Sequence, residues 1–146
     1  MAKTDELTGL RNRRYGMEQL HHELQRVRRY GGSVVIALLD IDHFKHVNDT
    51  YGHLVGDQVL INIGLILKEG IREVDFSARW GGEEFLLFFP NTELHDGQLV
   101  MEKIRTTIEN YLFDSIHGTF TVTFSYGLHA FEGGQDGVED VLHHCH

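Results

Sequence analysis

Four carboxylates in two short stretches carry the most chemistry in this chain. Asp40 and Asp42 close an apolar run, and Glu83 and Glu84 follow directly on Gly81-Gly82. Carboxylate oxygens are hard donors of the kind that hold Mg2+. The paired glycines separate two apolar runs, Phe76-Ser77-Ala78-Arg79-Trp80 and Phe85-Leu86-Leu87-Phe88-Phe89. That spacing signals a tight hairpin, because glycine adopts positive φ freely. Bare backbone at Gly81 and Gly82 also lets a bulky ligand approach the main chain. The plain alternative is a solvated hairpin tip. The upstream run Val34-Val35-Ile36-Ala37-Leu38-Leu39 reads as a central strand buried on both faces. It delivers Asp40-Ile41-Asp42 to its carboxyl end, where ligands sit in helix-covered sheets. An unpaired buried carboxylate is expensive, so an acid there needs a partner. For Asp42 the expected partner is a helix, as N-cap of His43 to Asn48. Asp40 is read as a metal ligand. If the two stretches pair, the acids converge and need a cation to relieve their repulsion. The chemistry is then divalent-metal phosphoryl transfer.

The remaining elements must position those residues. Residues 1–14 read as an irregular lead-in with a glycine turn. Met17, Leu20, Leu24 and Val27 recur at helical spacing, and Gly31-Gly32 stops that helix. Asp49 to His53 reads as a turn. A second helix spans about 55–70, with Val59, Ile63, Ile66 and Leu67 on one stripe and Asp57 in its first turn, where a carboxylate suits the helix dipole. A third helix carries Val100, Ile104 and Ile108. Residues 119–128 alternate apolar and small polar side chains, which predicts one strand with a single buried face. The order helix, strand, helix, hairpin, helix, strand predicts an α/β (α+β) sandwich. Its helices flank a mostly antiparallel sheet, close to the ferredoxin-like arrangement of polymerase palms.

Composition narrows the function. At 146 residues the chain is expected to be one domain. Its 13 basic against 22 acidic side chains give a net charge of −9, which disfavours nucleic acid as a partner. A nucleotide stays compatible if a metal offsets its phosphates. No apolar run is long enough for a membrane span, and the polar start, Met1 to Glu6, does not read as a signal peptide. The single cysteine, Cys145, excludes an internal disulfide and suits a reducing, cytoplasmic setting.

Four separated motifs resemble the GGDEF domains, the diguanylate cyclases. They are Asp5-Glu6-Leu7-Thr8-Gly9-Leu10-Arg11-Asn12-Arg13, Asp40 to Asp49, Gly52-His53-Leu54-Val55-Gly56-Asp57, and Gly81-Gly82-Glu83-Glu84-Phe85 in the GGEEF form. The resemblance runs from residue 4 to about 130. It implies condensation of two GTP to cyclic di-GMP with release of two pyrophosphates, between two domains of a homodimer. Two Mg2+ or Mn2+ ions per active site are implied, held by Asp40, the Ile41 carbonyl and Glu83. Glu84 adds a metal contact or accepts the hydroxyl proton, and Lys45 stabilises phosphate charge. Asn48 and Asp57 would read the guanine, with Phe44, His53, Gly81 and Gly82 lining the substrate pocket. Guanine offers N1–H and N2–H side by side, so one carboxylate accepts both. Adenine has an acceptor at N1 and would leave Asp57 unpaired.

Arg72-Glu73-Val74-Asp75 resembles the family's RxxD motif, which implies an inhibitory product site at Arg72 and Asp75, with Lys103 as a further charge. A salt-bridged helix end is the plain alternative. Family members continue with a helix carrying phosphate-contacting Lys and Arg and a last strand. Residues 138–146 here begin that helix, and the chain is expected to lack its remainder. His143, His144, Cys145 and His146 have metal-binding side chains but read as a tail. Two further functions stay open beside the cyclase. One is a non-catalytic cyclic di-GMP receptor using Arg72 and Asp75; the other is a GTP-sensing regulatory domain keeping Asn48 and Asp57.

Overall fold

The computed structural model describes residues 2–146. Helix α1 spans Arg13–Tyr30, and its N-cap Asn12 accepts a hydrogen bond from the Tyr15 N–H. Strand β1 follows at Val34–Ile41, then α2 at Phe44–Tyr51 and α3 at His53–Glu69. Strands β2, Phe76–Arg79, and β3, Glu84–Pro90, form the hairpin. Helix α4 covers Leu94–Glu109, a small ribbon joins β4, Phe113–Ser115, to β5, Gly118–Phe120, and β6 runs Phe124–Phe131. A short α5, Val138–His143, closes the order.

The main sheet has the order β2-β3-β1-β6, and each of these pairs is antiparallel. The central strand β1 is buried from Val34 to Leu39, as its unbroken apolar run requires. Side chains alternate across it. Val35, Ala37, Leu39 and Ile41 join one core with the apolar stripes of α2, α3 and α4. Val34, Ile36 and Leu38 join a second core with α1 and α5. Fully burying each Val, Ile or Leu contributes roughly 1.5–3 kcal/mol, so β1 is the rigid floor on which its last residues stand.

Four local expectations change. The turn expected at Asp49 to His53 shrinks to Gly52, because α2 continues through Tyr51. Asp42 is not an N-cap: His43 holds that position, with φ 56°, and no side chain caps the helix. The strand expected over 119–128 breaks, with β5 pairing β4 and β6 pairing β1. Its alternation survives the break, since Val122 and Phe124 are buried while Thr121, Thr123 and Ser125 are exposed. Within the expected His/Cys tail, Cys145 joins the second core beside Val141 and Leu142, while His143, His144 and His146 are exposed. Burial without a compensating charge pushes its thiol up to about 12.

Candidate functional site

The acids meet where β1 ends. In register, Glu84 of β3 stands opposite Asp40, and Ser125 of β6 stands opposite Asp40 on the other side. Glu83 adjoins them, its carbonyl accepting a hydrogen bond of 3.1 Å from the Ile41 N–H. Asp40 shares the sheet face of Leu38, on the α1 and α5 side. There a cavity of about 420 Å³ is lined by Leu38, Asp40, Glu84, Ser125, Tyr126 and the chain end at Cys145 and His146. Partial burial, then repulsion from Glu83, Glu84 and Asp42, raises the Asp40 carboxyl above the ordinary carboxylate range. Asp42 is held beside it by the hydroxyls of Thr123 and Ser125, each donating at 2.7 Å.

This donor set fits a hard divalent cation: several carboxylates repel one another at one edge and present oxygen ligands. Among the described residues no three His, Cys, Asp or Glu side chains are already gathered at metal-ligand spacing.

The Gly81-Gly82 turn is built differently from the expectation. Neither glycine has positive φ. Gly81 is required for space: a Cβ there would lie 2.8 Å from Glu84 Oε1. The Trp80 and Gly81 N–H groups both donate to the Glu84 carbonyl, at 2.7 and 3.2 Å. Arg79 secures the turn from beneath, a role that residue type and spacing did not suggest. Its Nε donates to the Gly81 carbonyl at 3.2 Å, and its Nη2 to that of Gly82 at 2.9 Å. Its Nη1 reaches Asp5 at 3.4 Å, so the lead-in and the turn share one guanidinium. Partial burial works to raise Asp5, but hydrogen bonds from Thr8 and the Arg79 charge hold it below its ordinary value.

On the opposite face, α2 and α3 cross closely at Gly56, where a Cβ would lie 1.8 Å from Asn48 Oδ1. That contact fixes the half-buried Asn48 beside the buried Phe44, with Asp57 one residue further along α3 and exposed. His53 is exposed at the first position of α3. Lys45 points to solvent, 92% exposed, and pairs with Asp49 at 3.3 Å rather than with the acids.

Arg72 and Asp75 form a pair of their own. The Asp75 carboxylate is 2% exposed and accepts from the Arg72 backbone N–H at 2.8 Å, from Nε at 3.1 Å and from Nη2 at 2.8 Å. Nη2 also donates to the Pro90 carbonyl and the Thr92 hydroxyl. The pair separates two clefts. One, of about 550 Å³, is lined by Arg11, Tyr15 and Lys68, and the other by Thr92, Asp96 and Val100. Lys103 lies exposed on α4 and lines neither.

Helices on both faces of an antiparallel sheet, with acids gathered at the end of its central strand, define a ferredoxin-like, palm-type α/β domain. The family model described as "Diguanylate cyclase, GGDEF domain" matches residues 2–146, and the chain belongs to that family. It is 45% identical over 136 residues to diguanylate cyclase DgcP of Pseudomonas aeruginosa, covering 93% of this chain and 20% of that protein. It is 42% identical over 144 residues to response regulator PleD of Caulobacter vibrioides, covering 97% of this chain and 32% of that one. The chain therefore spans a fifth to a third of the length of these relatives. Among solved structures, the GGDEF domain of DgcB from Caulobacter crescentus, in complex with c-di-GMP, superposes with a TM-score of 0.92. That pair is 31% identical, with 97% of this chain and 81% of that chain covered.

Proposed function

We propose that this chain is the catalytic domain of a diguanylate cyclase, which condenses two GTP into cyclic di-GMP and releases two pyrophosphates. The observation that carries the reading is the strand-end row: Asp40 faces Glu84 in register, and Glu83 is tied to Ile41 by a backbone hydrogen bond. Asp40, the Ile41 carbonyl and Glu83 hold Mg2+ or Mn2+, two ions per active site, with Glu84 as further ligand or proton acceptor. When bound, the ions lower the pKa of the attacking hydroxyl and offset charge growing on the phosphates. Each 3′ oxygen attacks the α-phosphorus of the GTP on the partner domain, its proton passes to a carboxylate, and the bond to pyrophosphate breaks. A homodimer is therefore required. Asn48 and Asp57 read guanine beside Phe44 and His53, and the Gly81-Gly82 backbone lies against the nucleotide. Lys45, free to leave its exposed pairing with Asp49, neutralises phosphate charge.

Arg72 and Asp75, with Lys103 contributed from a partner, form the inhibitory product site. Cyclic di-GMP bound there is supported by the clefts on either side of the pair. Occupation requires part of the Arg72–Asp75 pairing to be exchanged for guanine. The domain acts in the cytoplasm, where the lone cysteine suits a reducing compartment. One experiment tests the whole: incubation with GTP and Mg2+ followed by chromatography, with calorimetric titration of cyclic di-GMP in parallel. Product formation supports the cyclase. Tight product binding without turnover would replace it with the receptor reading, and GTP binding without either would leave a GTP-sensing domain.

A further inference from the structure

Arg13 opens α1 and is exposed, yet it is not a free surface arginine. Its guanidinium lies over the ring of Trp80 with 4.8 Å between Cζ and the ring centroid. Trp80 is 6% exposed and immediately precedes Gly81, so the platform under Arg13 is rigid. Together they line a cavity of about 420 Å³ that also includes Leu38, Glu84, Glu139 and His146. Leu38, Glu84 and His146 line the Asp40 cavity as well, so the two spaces adjoin across the Glu84 side chain. Two carboxylates thus share a cavity with Arg13, and among the described residues it forms an ion pair with neither. The contact with Trp80 holds the guanidinium beside the ring. A planar fork of that kind matches phosphate oxygens and supplies two parallel charge-assisted hydrogen bonds.

We propose that Arg13 is a substrate-binding residue for the terminal phosphates of the nucleotide, reaching from the Trp80 ring into the space beside Glu84. This rests on the reading of the Asp40–Glu84 row as a metal–nucleotide site. The row is acidic, and a triphosphate adds further negative charge. A cation on the leaving-group side of Glu84 offsets what the carboxylates cannot. Trp80 acts through Arg13 as a positioning residue.

The test compares Arg13→Met and Arg13→Lys with the unaltered chain, by calorimetry with Mg2+ and either a non-hydrolysable GTP analogue or GMP. Arg13→Met keeps an apolar stem on Trp80 and removes the charge. Losing one charge-assisted contact, about 1.5 kcal/mol, weakens the triphosphate about tenfold. GMP affinity stays unchanged, so the triphosphate-to-GMP preference falls, and Arg13→Lys restores part of it. An unchanged preference in Arg13→Met, with or without a lower melting temperature, would make Arg13 a packing residue and overturn the proposal. If the unaltered chain binds neither nucleotide, the metal–nucleotide reading fails, and this assignment fails with it.

Discussion

Replacing Asp40 with Asn tests the electrostatics of the strand end in a way that separates function from fold. In the folded chain Asp40 faces Glu84 in register and feels Glu83 and Asp42 as well. Like charges directly opposite on paired strands cost roughly 0.2–1 kcal/mol. Because Asp40 is exposed, solvent screens the other two acids further. Their sum is about 1 kcal/mol of self-repulsion without metal. Asp40→Asn keeps the shape and removes the charge, so the metal-free variant should melt about 2–4 °C higher. The gain should shrink in high salt. The sign with pH follows from the raised carboxyl. A proton bound more tightly in the folded than in the unfolded state stabilises the fold below the unfolded pKa. That stabilisation is lost as pH rises through the raised folded value. The variant's advantage is therefore full at neutral pH and closes as pH falls through that value. Mg2+ reverses the ranking: it stabilises the parent, by about 2.7 kcal/mol at a hundredfold excess over Kd, and leaves the variant nearly unmoved. The assay is thermal unfolding with EDTA or Mg2+ between pH 4 and 8. A metal-free Asp40→Asn that melts lower than the parent, or that gains as much from Mg2+, would refute the reasoning.

Further predictions concern the rest of the site. Asp57→Ala should weaken GTP binding and narrow the preference over ATP, read by competition calorimetry; unchanged GTP affinity would remove Asp57 from base recognition. Gly56→Ala places a methyl group 1.8 Å from Asn48 Oδ1. It should displace Asn48, cost about 1–3 kcal/mol by overpacking, and lower GTP affinity, all checked by unfolding and titration. Arg72→Ala should abolish cyclic di-GMP binding while GTP affinity is retained; full-strength product binding in that variant would return Arg72 and Asp75 to a structural pair. Cys145, with its thiol at about 12, should resist alkylation at pH 8 in the native state and react at once in denaturant.

The floor of the site was legible in the sequence because one physical cause decided it. A short apolar run bounded by turn signals fits a strand covered on both faces, and Val34 to Leu39 behaves so. The Gly-Gly pair between two short strand-like runs likewise signals a hairpin. What escaped were contacts made across the chain. Asp42 looked like a local helix cap, but the hydroxyls of Thr123 and Ser125, 81 and 83 residues on, hold it instead. Gly81 looked like a positive-φ residue, but the Glu84 carboxylate folding back is what leaves no room for a side chain. Arg79 carried no signal of its own, and only the fold joins it to Asp5 and the turn carbonyls. Cys145 sat among histidines that hid its apolar packing against Val141 and Leu142.

Cyclase chemistry at this site requires the acids at the end of β1 to share a divalent ion. Manganese provides the direct readout: titrate Mn2+ into the chain with a non-hydrolysable GTP analogue and follow the free-ion signal by electron paramagnetic resonance. Loss of that signal in the parent, and its return in Glu83→Gln and Asp40→Asn, is the predicted result. Equal manganese uptake by all three proteins would contradict the claim.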